Sequence, residues 1–495
     1  MSNRDLRLLV CSTLVVAAVG CAHYPVNAPL AKQDPTKGYR FGTIQAPPEA
    51  DENLVILSFS GGGTRAAALS YGVLTELANQ TIAGGTKKLV DDVAVISSVS
   101  GGSFTSAYYA LNGTEGLKTF PDVLLYKNVQ GALIRSAFFT PRVFKLLSPN
   151  YSRIDVASEW YDDHVFDHKT FGDLEKRNRR PYIILNSTEM DIGTGFEWTQ
   201  DQFDPICSDL SGVPIARGVA ASSAFPGLLT PLTLKTYTGT CGYKAPPWVS
   251  LALNDQLINP SRYQEAILLR ELGNHERSYV HLLDGGLADN IGLRRPMRAI
   301  QSTDTAVLPP QFGFSILRLI DLSRVKRIAV VTVNAATQGG VGVDKEERTP
   351  GIVSVLSAVT GIPMGNYSFD TIALLQQLIA EWSAQKRARD DCRALAKESC
   401  PSVDIPPIEK LNIDTYNVNV AFAFLPDEKE RNCFYSIGTN FGLPREQVTA
   451  LIGVGPRLLH ISGDYARLVK DLGGNVTWTA NEAMAAQPVD AWCKK

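Results

Sequence analysis

The sequence lacks a charge excess of either sign, a C-x-x-C pair, an internal repeat and any low-complexity tract. Lysine and arginine total 48 and aspartate and glutamate 50, which gives a net charge of -2. No overall electric field therefore attracts the chain to nucleic acid or to acidic lipid headgroups. Hydrophobic residues make up 44% of the 495 positions, enough to bury a sizeable core, so the composition predicts a folded protein.

The N-terminus has the pattern of an export signal. Arg4 and Arg7 precede an apolar run over 8–20, which is too short to span a membrane, so we expect residues 1–20 to be a signal peptide. The run ends Ala-Val-Gly before Cys21, which resembles a bacterial lipoprotein cleavage box with alanine where leucine is more usual. The resemblance implies a lipidated Cys21 that anchors the protein in a bacterial cell envelope. The alanine after Cys21 implies the outer membrane, facing the periplasm. An ordinary signal peptide with an incidental Cys21 is the alternative.

Apart from Cys21 and from Cys11 in the predicted signal peptide, six cysteines remain, an even number. An export signal and the absence of C-x-x-C favour disulfides over metal or redox chemistry, although buried free thiols are the alternative. Proximity in the sequence suggests the pairs Cys207 with Cys241 and Cys392 with Cys400, which leaves Cys433 with Cys493.

Two strand, glycine turn and helix units follow one another near the start of the fold. Buried strands are predicted over 54–59 and 93–99, each followed by glycines and a helical pattern, which indicates an α/β fold with a mostly parallel sheet and helices on both faces. Residues 113–173 read as a helical insertion. We expect four regions. They are the signal peptide over 1–20, a tether over 21–50, a catalytic domain over 51–340, and a helical region with one strand over 341–495.

Ser100 lies in Ser-Val-Ser-Gly-Gly, a variant of the G-x-S-x-G nucleophile elbow in which Ser98 replaces the first glycine. A strand that turns sharply into a helix needs small neighbours such as Gly101 and Gly102. Alone, this pattern is common in turns that carry no chemistry, so it needs partners.

The first partner is the run Gly61, Gly62 and Gly63, which follows a buried strand at the start of a helix. Its amides can form a concave site for the oxyanion of a tetrahedral intermediate. A dinucleotide-binding loop and a phosphate-binding loop share this geometry. The first lacks an acidic residue after a second strand, and the second lacks the Lys-Ser/Thr ending.

The second partner is Asp284, which comes directly before Gly285 and Gly286 at the predicted carboxyl end of a parallel strand. Ligands collect on that side of open sheets. An ordinary Asp-Gly turn is the alternative. None of the six histidines is well placed as a base, so the simplest hypothesis is a dyad in which Asp284 accepts the proton of Ser100.

The order of these blocks resembles the patatin-like phospholipases. The similarity covers about residues 52–300 and includes the segment 221–227, Ala-Ser-Ser-Ala-Phe-Pro-Gly. It implies a lipid or phospholipid substrate, acyl ester hydrolysis by Ser100 and Asp284, oxyanion donors in the glycine loop, and neither metal nor cofactor. Two departures from the family pattern are Ser98 and Ala66. We assign Arg65 a supporting role, either in orienting the glycine loop, in binding a headgroup phosphate or in pairing with a nearby aspartate or the sheet edge.

The sequence therefore predicts a lipid acyl hydrolase of the phospholipase A or lysophospholipase type. The insertion is expected to supply an acyl pocket or a lid, because of its apolar segments over 137–139 and 144–147. One alternative is a Ser-Asp-His esterase that uses His460, and another is a lipid-anchored binding or scaffold protein without turnover. No nucleic-acid partner is expected.

Overall fold

The centre of the fold is one large, mostly parallel sheet. The computed structural model describes residues 22–44, 52–140, 142–254, 256–257, 259–294, 297, 324–337, 347, 349–399, 402 and 412–493. In these ranges the sheet has eight strands: β1 (Asn53–Phe59), β2 (Val93–Val99), β3 (Tyr182–Glu189), β4 (Gly195–Glu197), β5 (Leu232–Lys235), β6 (Tyr279–Asp284), β7 (Arg327–Asn334) and β8 (Asp414–Ala421). The predicted α/β class with a mostly parallel sheet is confirmed.

The strands lie in the order β8-β7-β1-β2-β3-β6-β5, and β4 pairs with β3. The five strands from β8 to β3 run parallel to one another. Every residue of β2 is buried, as expected for a central strand covered by helices on its faces. The loops at the carboxyl ends of β1 and β2 are therefore held by the most rigid part of the molecule.

Helices surround this sheet. They are α1 (Gly63–Asn79), α2 (Gly101–Leu117), α3 (Val129–Phe138), α4 (Arg142–Lys145), α5 (Arg153–Tyr161), α6 (Phe171–Arg177), α7 (Gln200–Phe203), α8 (Ile215–Ser222), α9 (Pro247–Ala252), α10 (Pro260–Leu272), α11 (Gly286–Asp289), α12 (Ile352–Ser399), α13 (Glu428–Ser436), α14 (Arg445–Ile461), α15 (Gly463–Asp471) and α16 (Ala480–Met484). The predicted insertion over 113–173 is helical and holds α3 to α6. No helix in the described ranges is both long and apolar enough to cross a bilayer.

One strand differs in direction from the prediction. β6, which ends at Asp284, runs antiparallel to β3, not parallel. The reason lies in the length of β3, which continues to Glu189 although β2 ends at Val99, opposite Asn186. β6 pairs with this overhang and places Asp284 opposite Ser187. An antiparallel strand therefore brings its last residue to the level of the turn after β2.

The described part of the expected tether, residues 22–44, packs on the domain. A two-residue ladder joins Ala28 and Pro29 to Ser208 and Asp209. The buried Arg40 forms an ion pair with the carboxylate of Asp204 at 2.6 Å, and a second one with Asp201. A free tether makes no such contacts, and a buried charge is stable only beside a fixed partner. This segment therefore forms a strap along the surface. Residues 1–21, which include the predicted signal peptide and Cys21, lie outside the described residues.

Two of the three suggested disulfides are present. Cys207 pairs with Cys241, and Cys433 pairs with Cys493. The second disulfide links helix α13 to the C-terminal segment. Cys392 is exposed, and its suggested partner Cys400 lies outside the described residues.

Candidate active site

Ser100 occupies the sharp turn between β2 and α2. Its φ of 50° and ψ of -119° lie outside the favoured regions for a residue with a side chain, and 7% of its surface is exposed. Such backbone strain persists only where the surroundings enforce it. Here the next residue is packed too tightly for any side chain, because a Cβ on Gly101 would lie 2.0 Å from the carbonyl oxygen of Gly63. The elbow and the glycine loop are therefore in direct contact.

The unusual first serine of the elbow has a structural role. Ser98 is fully buried, and its hydroxyl lies 2.6 Å from that of Ser106 on helix α2. A small polar side chain is thus accommodated where other elbows have glycine. Ser103, the other nearby serine, is also buried and makes a hydrogen bond to Ser222. Neither hydroxyl bonds to Asp284.

The structure brings Asp284 and Ser100 together. The Ser100 hydroxyl lies close enough to the Asp284 carboxyl to lower its pKa, and the amide of Gly286 donates a hydrogen bond to that carboxyl at 2.8 Å. Asp284 is 3% exposed. Burial raises the pKa of the Asp284 carboxyl to about 7, and the Gly286 amide and the Ser100 hydroxyl only partly oppose this effect. The carboxyl can therefore both accept and donate a proton near neutral pH.

Ser222, in the predicted segment 221–227, connects the two loops. Its hydroxyl accepts a hydrogen bond from the backbone amide of Ser100 at 2.9 Å and donates one to the carbonyl of Asn186 at 2.6 Å. Its own carbonyl accepts from the amide of Gly285 at 3.2 Å. Close packing explains Gly285, because a Cβ there would lie 2.2 Å from the carbonyl oxygen of Asn186. The distance between nucleophile loop and aspartate loop is thus set by one buried serine.

The glycine loop lies beside Ser100, but its three amides are not equivalent. The amide of Gly61 donates to the carbonyl of Asn290 at 2.9 Å and is therefore occupied, contrary to its predicted role as an oxyanion donor. No described residue accepts a hydrogen bond from the amide of Gly62 or Gly63. Both adopt positive φ, 140° and 60°, which turns successive amides in the manner of an anion-binding nest. These two amides are the available donors.

Arg65 is buried and does not face a lipid headgroup. Its guanidinium donates to the carbonyl of Ala335 at 2.8 Å, to that of Ile437 at 2.5 Å and to the hydroxyl of Thr439 at 2.9 Å. Burial lowers its pKa to about 10. The orienting role is the one that fits, because the adjacent carbonyl of Asn440 accepts from the amide of Thr64 at 2.9 Å. Arg65 thus fixes the segment 437–440 against the glycine loop.

Two further residues at the site carried no signal in the sequence analysis. The Asn290 side-chain oxygen lies against both glycine motifs. A Cβ added to Gly61 would be 2.4 Å from this oxygen, and a Cβ added to Gly286 would be 2.8 Å from it. Its position six residues after Asp284 could have marked it. The methyl group of Met364, on α12, would lie 2.4 Å from a Cβ added to Gly286. No local pattern indicates that this distant helix covers the aspartate loop.

The histidines are engaged elsewhere. The ring of His460 lies 2.7 Å from the Glu76 carboxylate and stacks on Trp478 with ring centres 3.9 Å apart. Glu76 is 13 positions beyond Gly63 on α1, about 20 Å along a helix. His281 is exposed and contacts Thr233. All six histidines lie in the described ranges, and none bonds to Ser100 or Asp284, so the predicted alternative of a triad with His460 is wrong.

One cavity touches the aspartate loop, and a second lies beside the helical insertion. A polar one of about 440 Å³ lies against the aspartate loop, where Gly285, Ala288, Asp289 and Arg294 form part of its wall. An apolar one of about 150 Å³ lies between α3 of the insertion, the loop 227–229 and Phe441. No cluster of His, Cys, Asp or Glu suited to a metal ion occurs in the ranges that the structure describes.

The chain is similar to one protein family and to several solved structures. Residues 57–296 match the sequence model of the family described as patatin-like phospholipase. No protein with a curated function matches the sequence. The fold matches human GIVD cytosolic phospholipase A2 with a TM-score of 0.42 and 10% identity over 95% of this chain and 64% of that chain. The same human protein in complex with methyl gamma-linolenyl fluorophosphonate gives a TM-score of 0.40 and 12% identity over 87% and 61%. The chain thus spans less than two thirds of these structures. Residues 57–296 thus form a patatin-like phospholipase domain.

Proposed function

We propose that the chain is a serine hydrolase that cleaves acyl esters of lipids, with Ser100 as nucleophile and Asp284 as its proton acceptor. The observation that carries this proposal is the proximity of a strained, nearly buried hydroxyl to a buried carboxyl whose pKa is raised to about 7. The amides of Gly62 and Gly63, which donate to no described residue, belong to the loop that packs against the elbow.

The first half of the reaction forms an acyl enzyme. Ser100 Oγ attacks the ester carbonyl while its proton passes to Asp284, and the new oxyanion accepts hydrogen bonds from the glycine amides. The carbon–oxygen bond to the leaving alcohol then breaks, and the protonated Asp284 returns the proton to the departing alkoxide. A pKa near 7 suits both transfers.

The second half releases the acid. A water molecule gives its proton to Asp284 and attacks the acyl carbonyl, which forms the same type of oxyanion at the same amides. The bond to Ser100 Oγ then breaks, and the serine oxygen recovers the proton from Asp284. One carboxyl therefore serves both steps, and no histidine is required.

The apolar cavity supports an acyl chain as the substrate part that is recognised. Leu133, Ala137 and Val156 line it on the insertion side and Leu229 on the other. Phe441 continues this wall toward the site, because its ring lies 5.8 Å from that of Phe104 on the helix that starts after Ser100. We propose that this cavity receives the acyl chain next to the scissile bond.

A variant that fills the cavity tests this assignment. Deleting residues 113–173 is unsuitable, because Tyr161 and Phe166 belong to the main core. Leu133→Trp is expected to reduce hydrolysis of long-chain esters at least tenfold more than that of a butyrate ester. Leu257→Trp, at a side chain that is 94% exposed, is the control and should change neither. Equal losses on both esters in Leu133→Trp would contradict the assignment.

Labelling with a fluorophosphonate probe tests the catalytic proposal. The wild-type protein should be labelled in a pH-dependent way, whereas Ser100→Ala and Asp284→Asn should not be labelled. Ser103→Ala and Asp289→Asn are the matched controls, because Ser103 lies three residues after Ser100 and Asp289 five residues after Asp284. Both controls should retain labelling. Absence of labelling in wild type, despite a cooperative unfolding transition, would favour the scaffold alternative.

We also propose that Cys21 carries lipid and anchors the protein in a bacterial envelope, in the outer membrane facing the periplasm. The pattern of residues 1–21 supports this proposal. Metabolic labelling with an alkyne fatty acid should mark the wild type and not Cys21→Ser. Labelling that persists in Cys21→Ser, or its absence from both proteins, would contradict lipidation.

A further inference from the structure

The insertion exposes a group of large apolar side chains. Five of them fall between positions 134 and 147, with exposed fractions from 49% to 79%: Ile134, Phe138, Phe139, Phe144 and Leu147. Contiguous exposed apolar side chains are rare on a soluble surface and mark contacts with proteins or membranes. This group, which we call the apolar face, lies on α3, α4 and the residues that follow each of them.

The segment that carries the apolar face contains basic residues and no acidic ones. Residues 127–153 contain five basic residues, namely Lys127, Arg135, Arg142, Lys145 and Arg153, and no aspartate or glutamate. Glu159 pairs with two of them from outside this range. Aromatic side chains beside basic ones are typical of segments that lie in the interface of an anionic bilayer. The segment that carries the apolar face is thus basic, although the chain as a whole is nearly neutral.

The N-terminal end of the described chain lies at the same place. Ala22, like Leu146, packs against the small core formed by Ala137, Tyr151 and Val156. The carbonyl of Ala22 accepts a hydrogen bond from the Ser148 hydroxyl. The amide of Tyr24 donates a hydrogen bond to the carbonyl of Asn150 at 2.7 Å. Cys21 directly precedes Ala22, so any lipid on it would be attached one residue from the carbonyl that Ser148 binds, and Ser148 follows Leu147 of the apolar face.

The apolar face also borders the apolar cavity of the candidate site. Ile134 and Phe138 belong to both, and Leu228, which is 38% exposed, forms the opposite rim. A bilayer in contact with this face would therefore meet the mouth of the cavity. This last relation rests on the proposed function, whereas the apolar side chains, the basic residues and the position of Ala22 do not depend on it.

We propose that the apolar face is a membrane-docking surface for an anionic lipid bilayer, and that the strap holds the domain on the bilayer without a free tether. In this arrangement Phe139 and Phe144 enter the interface, the basic residues contact lipid phosphates, and acyl chains on Cys21 enter the same bilayer. A lipid molecule can then pass from the bilayer into the cavity without crossing water.

Vesicle binding of the full chain tests the docking surface. Ser100→Ala is used as the background, so that binding is measured without hydrolysis. We expect Phe139→Ser combined with Phe144→Ser to lower partitioning onto phosphatidylethanolamine and phosphatidylglycerol vesicles at least tenfold. The double variant loses two aromatic side chains that would be buried in the bilayer. Phe369→Ser is the matched control, since this phenylalanine is 75% exposed on α12, and it should bind as the background does. All proteins share one N-terminus, so its contribution cancels.

Three outcomes would overturn the proposal. They are unchanged binding of the double variant, an equal loss in Phe369→Ser, and equal binding to pure phosphatidylcholine vesicles. Amide hydrogen exchange of the full chain gives an answer that does not depend on variants. Vesicles should protect residues 129–147, and protection confined to another segment would contradict the docking surface. A protein partner at this face would leave vesicle binding unaffected by the double variant. Loss of activity with retained docking would refute the proposed function alone.

Discussion

Replacing Asp284 by asparagine should abolish activity and stabilise the protein at the same time. The carboxyl is buried, and its pKa is raised from 3.8 to about 7. Above pH 7 the native state therefore holds an ionised group that water solvates better in the unfolded chain. Asparagine has nearly the same shape and carries no charge, so it removes both the proton acceptor and this penalty.

The size and sign of the effect follow from linkage. Between pH 3.8 and about 7 the native state keeps a proton that the unfolded state has released, so the free energy of unfolding falls as the pH rises through this window. The two pKa values differ by about three, which corresponds to about 4 kcal/mol at pH 8. Below pH 4 both states are protonated, and the advantage of Asp284→Asn should disappear. The variant should thus be more stable by up to about 4 kcal/mol at pH 8.

Chemical denaturation at several pH values measures this difference, and kcat/KM for a soluble ester gives the activity. The wild-type profile should rise with pH and level off above an apparent pKa near 7, because the protonated carboxyl cannot accept the proton of Ser100. Ser100→Ala is the control that loses activity and keeps the pH dependence of stability. The reasoning is refuted if Asp284→Asn is no more stable than wild type at pH 8, or if activity is already maximal at pH 5.

Three other predictions concern the contacts that position the site. Gly101→Ala should abolish fluorophosphonate labelling, because its Cβ would lie 2.0 Å from the carbonyl oxygen of Gly63; Gly453→Ala, with open space around it on α14, should be neutral or slightly stabilising. Ser222→Ala should lower kcat more than it raises KM and cost about 1–3 kcal/mol in denaturant unfolding, since it leaves a buried amide and carbonyl unpaired; equal activity would exclude a positioning role. Arg40→Met should detach the strap, detected as faster proteolysis within residues 22–44, while a proteolysis pattern identical to wild type would contradict the strap.

Local sequence patterns predicted the parts of the site that lie within one strand and one turn. The buried runs before Gly61 and Ser100 predicted parallel strands because alternation is lost where both faces of a strand are covered, and the structure has β1 and β2 there. The turn glycines followed from the same logic, since a nucleophile elbow leaves no space for a side chain.

Contacts between distant segments had no such signal. The direction of β6 depends on how far β3 extends beyond β2, a property of pairing that no single strand displays. The partners of Arg65 are carbonyls some 270 and 370 positions away, and a carbonyl is present at every residue. The composition of residues 22–44 is typical of a linker and therefore predicts a tether. The position of this segment as a strap depends on contacts with distant residues, such as the ion pairs of Arg40 with Asp201 and Asp204.

The energetic costs of this fold are concentrated where the proposed chemistry occurs. Ser100 has a backbone conformation that costs on the order of 1–3 kcal/mol. Asp284 is a carboxylate buried without a cation among the groups that set its pKa. Gly62 and Gly63 leave amides unpaired in the described structure, although buried amides are normally paired. Each feature destabilises the native state, and each serves acyl transfer. The strained turn holds the nucleophile, the buried carboxyl is a base with a pKa near neutrality, and the unpaired amides are donors for an oxyanion. A scaffold would gain nothing from any of them, so their coincidence at one turn favours an enzyme.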